Sequence, residues 1–144
     1  MIAVDTNIHV YAHREDSPHH VAAARALREL AEGVALWAIP WPCVHEFLAV
    51  TTHPRIYAPP TPVSIAVSAV NMLAALPNVR LLHESPTHLV ELGRALARGD
   101  VTGPRVHDAR IAAICASHGV SELWSADRDF SWFPGFRTVN PLAR

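Results

Sequence analysis

The sequence contains no lysine; its twelve positively charged side chains are all arginine. Two classes of chemistry are thereby excluded. A Walker-type phosphate loop sets a lysine on the phosphates, and a Schiff-base enzyme needs a side-chain amine. Cysteine is scarce as well, with Cys43 and Cys115 the two present. Their separation matches no metal-ligand spacing, and two cysteines build no disulfide framework. Both fall in apolar, helix-like segments, so buried free thiols are expected. No hydrophobic run approaches the roughly 20 residues of a membrane helix. The first apolar run, Ile2-Ala3-Val4, is broken at once by Asp5. Neither a leader peptide nor a membrane anchor is expected, and a cytoplasmic location is the default.

What is present suits one compact domain over residues 1–144, half of them hydrophobic. The formal net charge is −1, from 13 acids against 12 arginines. If four acids gather in one site, the nine left face twelve arginines, an excess of three positive charges elsewhere. Such a balance permits a nucleic-acid surface without requiring one.

Short apolar runs alternate with longer helical periods. Residues 2–4, 34–39, 79–82 and 122–125 read as strands, and 137–139 as a fifth at an edge. Residues 6–13 read as a short helix. Ser17-Pro18, Thr61-Pro62 and Ser85-Pro86 each read as an N-cap followed by proline in the first helical turn. They open helices to about Glu32, Leu76 and Arg98. The first of these shows Val21, Ala24, Leu27, Leu30 and Ala31 on one face, and Gly33 ends it. Residues 42–52 form a further helix, stopped by His53-Pro54. Residues 105–118 form the last, with Gly119 as its C-terminal cap. Strands alternating with helices imply a parallel sheet with helices on both faces. Sites in such sheets form beyond the C-terminal ends of the strands.

Acids recur at that rim. Asp5 follows the first strand and Asp127 follows the fourth. Asp108 lies in the first turn of the helix 105–118. Glu46 lies on the helix after the second strand, among apolar neighbours. Singly, each has an ordinary explanation as a cap, a turn residue or an acid favoured by a helix dipole. Together, a parallel sheet sends all four to one edge. Two like charges about 4 Å apart repel by roughly 4 kcal/mol at an effective dielectric near 20. A hard divalent cation, Mg²⁺ or Mn²⁺, removes that repulsion and prefers oxygen ligands. Bound beside a phosphodiester, it supports hydrolysis.

The motifs Val4-Asp5-Thr6-Asn7, Val44-His45-Glu46-Phe47, Val106-His107-Asp108-Ala109-Arg110 and Ser125-Ala126-Asp127-Arg128-Asp129-Phe130 resemble, in order and spacing, those of the PIN-domain family. The likeness is to the VapC-type toxins in particular and covers nearly the whole chain. Ser125 stands where the family usually has threonine. The stretch Thr52-His53-Pro54-Arg55 also looks like a subset of these toxins. The resemblance implies a three-layer α/β/α fold with a central, mainly parallel sheet of four to five strands. It implies an Mg²⁺- or Mn²⁺-dependent ribonuclease acting on RNA such as transfer or ribosomal RNA. A VapB-type antitoxin would silence it, and a homodimer is expected. Asp5, Glu46, Asp108 and Asp127 are then the metal-binding and catalytic residues. Thr6 and Asn7 would hold Asp5. Ser125 would either position Asp127 or touch substrate phosphate. Asp129 is either a fifth ligand or a turn residue.

Other candidates carry less. The pair His45-Glu46 begins like a zinc-protease motif, but the second histidine would have to stand where Ala49 does. Arg14, Arg55, Arg105, Arg110 and Arg128 fall near the rim and are candidates for RNA phosphate. Trp37, Trp41 and Trp124 sit in core-like runs; Trp132 is the candidate for stacking on a base. Two rival readings exist. A haloacid-dehalogenase-like phosphatase would use Asp5 as nucleophile, but it wants a second aspartate where Asn7 stands. A catalytically silent PIN-like RNA-binding module would tolerate loss of an acid, and all four are present.

Overall fold

A computed structural model describes residues 1–130, 133 and 135–143, with Asp129 described in its backbone alone. Trp132 lies outside the described residues. Strand β1 (Ile2–Val4) leads directly into helix α1 (Thr6–His13), followed by α2 (His20–Glu32). Next come β2 (Trp37–Pro40), α3 (Trp41–Thr51), α4 (Val63–Ala74) and β3 (Val79–Leu82). The chain continues through α5 (His88–Gly99) and α6 (Val106–Ser117) to β4 (Glu122–Trp124) and β5 (Arg137–Val139). Among the described residues no helix is long and apolar enough to cross a membrane.

Among the described residues the five strands are all parallel, in the order β3-β2-β1-β4-β5. The shortest strands suffice because β1 is central: Ala3 and Val4 are fully buried. A strand covered on both faces reads as a continuous apolar run rather than an alternation. The right-handed crossover rule puts α1 to α4 on one face, as the chain moves outward from β1 to β3. The return from β3 to β4 puts α5 and α6 on the other. Packing agrees, since α1 lies against α2 and α3, α3 against α4, and α5 against α6. The sheet therefore forms the middle of three layers.

This strand order fixes where a site can form. From β1 the chain departs toward β2; from β4 it departs toward β5, on the opposite side. The connections diverge between the C-terminal ends of β1 and β4, which leaves a crevice there. Asp5 follows β1, and Ser125 to Asp127 follow β4.

Some local expectations differ from the structure. Strand β2 starts at Trp37 rather than 34, and Val34 is 99% exposed. The cause is Asn78, whose Nδ2 donates to the carbonyls of Leu30, Gly33 and Ala35 at 2.9, 3.0 and 3.2 Å. Those carbonyls turn to a side chain instead of a neighbouring strand. The Ser-Pro pairs act one step earlier than capping predicts. Ser17 and Ser85 begin tight turns, with His20 N–H and His88 N–H donating to their carbonyls at 3.1 and 3.0 Å. Proline takes the second position of each turn, where its fixed φ is favoured, and the helices start after it. Helix α2 buries Ala23, Ala26 and Leu27, while Val21 is exposed. The small alanines let it lie close on α1. Gly119, at φ +69°, ends α6 as predicted, with Val120 N–H donating to Cys115 O at 3.1 Å.

Candidate active site

Asp5 is the N-cap of α1, its Oδ1 accepting from Thr6 N–H at 2.8 Å. The end of the central strand and the start of a helix thus share one residue. The N-terminus of a helix favours a carboxylate, which explains an acid that is only 5% exposed. Its other oxygen, Oδ2, accepts from Ser125 Oγ at 2.7 Å. The Cys43 thiol points at Oδ1 from 3.5 Å. Burial holds the Asp5 carboxyl above its ordinary value. The hydrogen bonds from Ser125 and Thr6 oppose that shift, and the charge of Glu46 adds to it. Burial and the nearby Asp5 charge push Cys115 up to about 12 and Cys43 also well above its usual value. Both thiols stay protonated, as expected of packed cysteines.

Ser125 ties the two strand ends together. Its hydroxyl donates to Asp5 and accepts from Asp127 N–H at 2.9 Å and from Asn7 Nδ2 at 3.4 Å. One donor and two lone pairs are all a hydroxyl has, so Ser125 has none left for a phosphate. Asn7 completes the link by accepting from Ala126 N–H at 3.2 Å. The expectation that Thr6 and Asn7 both hold Asp5 resolves into separate tasks. The Thr6 backbone holds Asp5, and the Thr6 hydroxyl donates to Glu46 Oε2 at 3.1 Å. Asn7 holds the segment after β4.

Glu46 lies on α3 with Cys43, Val44 and Phe47 buried beneath it, but Glu46 itself is exposed. Asp108 stands in the first turn of α6, half-buried, and Asp127 is half-buried beyond β4. All four acids line one cleft of about 260 Å³. The side chain of Asp129 lies outside the described part of the molecule. A second, open groove of about 500 Å³ adjoins the cleft, sharing Glu46, Asp108 and Ile111 and adding His45, His107 and Arg110.

The arginines fall in different places. Arg110 reaches the adjoining groove and is paired with Glu84 (Nε–Oε1 2.7 Å). Arg14 is bound to Asp16 (Nη2–Oδ2 2.6 Å) and lines a different groove, with His13 and Thr61. Arg55, Arg105 and Arg128 are exposed. Trp37 and Trp124 are buried in the core and Trp41 partly so. Two tyrosines, Tyr11 and Tyr57, line the cleft instead. Composition gave them no distinction; Tyr11 carried the one signal, four residues beyond Asn7 and so on the same helical face.

The donor set suits a hard cation: four carboxylates line one cleft, and among the described residues no arginine or histidine lines it with them. Among the described residues, no three His, Cys, Asp or Glu side chains stand close enough together to grip a bare ion. That spacing fits an ion of the Mg²⁺ class, which keeps several waters and takes few carboxylates directly.

The family model for the PIN domain matches residues 2–134. Ribonuclease VapC48 of Mycobacterium tuberculosis is 30% identical over 139 residues, 96% of each chain. VapC ribonuclease Mb2897 of Mycobacterium bovis is 32% identical over 142 residues, covering 99% of this chain and 96% of the relative. Among solved structures, VapBC2 of Rickettsia felis bound to a promoter DNA fragment superposes with a TM-score of 0.67 at 19% identity. It covers 97% of this chain and 98% of that one. VapC20 of M. tuberculosis, described as a toxin that cleaves the sarcin-ricin loop, also gives 0.67 at 19% identity, over 91% of this chain and 93% of its own.

Proposed function

The chain belongs to the PIN-domain family, and we propose that residues 1–144 act as a single PIN domain with Asp5, Glu46, Asp108 and Asp127 as its catalytic cluster. The protein is a ribonuclease, the toxin of a VapBC-type toxin–antitoxin pair. The observation that carries the site assignment is the convergence of the four acids on one cleft at the switch point of the sheet.

The four carboxylates would hold Mg²⁺ or Mn²⁺, in part through water. Such an ion offsets their mutual repulsion, stabilises charge developing on a phosphodiester and lowers the pKa of a bound water. The protein supplies the rest. Asp5 is fixed by three donors and cannot turn away from the cleft. Glu46 has one oxygen engaged by Thr6, which orients the other to take a proton from the water that attacks phosphorus. The adjoining groove offers the RNA strand a path past Arg110. The phosphatase reading fits less well, because it wants a second aspartate where Asn7 stands, and the Asn7 side chain is engaged by the Ala126 amide and Ser125.

Partners belong to this reading: a VapB-type antitoxin that silences the site, and a second copy of the chain. Exposed Val63, Ile65, Val67 and Met72 on α4 give partner chains an apolar surface to cover. The test is cleavage of total RNA by purified protein, with and without EDTA, and sequencing of the new ends. Cleavage that persists at full rate in EDTA overturns the metal mechanism.

A further inference from the structure

The geometry points to a base-binding subsite in the same cleft: Tyr57, with Tyr11 beside it, is the platform on which the RNA base next to the cut phosphate stacks. This rests on the ribonuclease reading.

The cleft has two chemically different ends. Asn7 and Glu46 belong to the acidic end; Tyr11 and Val50 lie four residues further along the same two helices. A spacing of four residues returns to the same helical face about one turn, roughly 5.4 Å, away. The apolar end, where Tyr11, Val50 and Tyr57 pack against the cluster that includes Val10, is therefore about a helical turn from the acids. One nucleotide spans such an offset, with its phosphate at the acids and its base at the tyrosines. Among the described residues, those at the apolar end carry no charge, so they suit a flat, uncharged base better than a second phosphate.

Tyr57 is also braced. The Arg14 guanidinium carbon lies 4.3 Å from the centre of the Tyr57 ring. Arg14 is itself locked, with Nε and Nη2 on the two oxygens of Asp16 at 2.9 and 2.6 Å and Nη1 on Thr61 Oγ1 at 3.2 Å. Its side chain is 12% exposed. A guanidinium so engaged does not serve a phosphate. It covers one face of the half-buried tyrosine, which also packs against the cluster of Val10, Phe47 and Ala66 and lines the cleft. A ring already fixed in its plane loses little freedom when a base stacks on it. Arg14 is thus a positioning residue that acts through Tyr57, and aromatic stacking accepts any base, since every base has a π-face.

The experiment begins by mapping the cut in total RNA from the expression host. Short RNA oligonucleotides are then made across that cut, intact or with an abasic ribose on its 5′ or 3′ side. On intact RNA, Tyr57→Ala lowers kcat/KM by about 10-fold or more. On one of the two abasic RNAs, wild type is slowed to a similar degree and Tyr57→Ala adds little further loss. Tyr57→Phe restores most of the lost rate, and Arg14→Met gives a smaller loss on intact RNA alone. Tyr57→Leu, which keeps apolar volume, carries the test if the alanine variant does not fold. Equal losses on intact and both abasic RNAs, or no loss at all, overturn the subsite while leaving the ribonuclease standing. Absence of cleavage by wild type overturns the ribonuclease reading and the subsite with it.

Discussion

Ser125 Oγ donates a 2.7 Å hydrogen bond to Asp5 Oδ2, joining residues 120 positions apart. The bond closes the crevice between β1 and β4 from below and sets Asp5 and Asp127 on one support. Replacing Ser125 by alanine removes a donor from a buried carboxylate and an acceptor from the Asp127 amide. The expected loss is about 2–3 kcal/mol of stability, read as a lower denaturant midpoint. Ser125→Thr keeps the hydroxyl and is expected to stay near wild type.

Metal binding is expected to appear in the thermal melt. Mg²⁺ at a hundredfold excess over its dissociation constant adds about 2.7 kcal/mol, which for a domain of this size raises Tm by about 5–10 °C. Asp5→Asn is expected to abolish that rise together with RNA cleavage. Without metal the sign reverses. The folded Asp5 carboxyl holds its proton to a higher pH than the unfolded one, so above its folded pKa the charged form subtracts from stability. The asparagine variant is therefore expected to melt above wild type at pH 7 in EDTA. A Tm rise with Mg²⁺ that survives the substitution would remove Asp5 from the metal site.

The Thr6 hydroxyl holds Glu46 at 3.1 Å. Thr6→Val keeps the shape and loses the bond, leaving an exposed glutamate free to rotate. On the role proposed for Glu46, misplacing it is expected to lower kcat by about 10-fold or more, with a smaller effect on KM. Thr6→Ser is expected to recover part of it. Single-turnover rates on the mapped RNA separate the two effects.

His9, in α1, is 4% exposed and stacks on Trp37 with ring centres 6.4 Å apart. Neither ring nitrogen has a well-formed hydrogen bond. Burial lowers its pKa from 6.5 to about 4, opposed by the Val4 backbone. The unfolded chain takes up the proton below pH 6.5, while the folded chain resists until about pH 4. Stability is fully present above pH 6.5 and falls toward pH 4, by an amount on the order of 3 kcal/mol. His9→Leu is expected to flatten this part of the profile. Urea midpoints measured from neutral to mildly acidic pH for both proteins check it.

Strands, helices and the candidate acids were legible because each leaves a local trace. Asp5 and Asp127 each follow an apolar run, Asp108 lies in a first helical turn, and Gly119 marks a helix end. The linking interactions left none. Thr6 to Glu46 spans 40 residues and Asn7 to Ala126 spans 119, so the crossovers of the sheet create them, not any window of sequence. Asn78 shows the same limit: a lone asparagine before a strand gave no sign that it gathers three carbonyls and delays β2. Tyr57 sits in a proline-rich loop, where no period marks a functional face. Glu46 has apolar neighbours in sequence yet is exposed, because a helix in a cleft wall buries one side and presents the other.

The order of the strands also sets when the enzyme comes into being. The middle of the sheet is made first, and the strand that completes the crevice is made among the last of the described elements. Until β4 leaves the ribosome and docks on β1, Asp5 lacks its serine donor and the rim lacks Asp127. The growing chain therefore carries an incomplete acidic cluster until the residues beyond Trp124 are made.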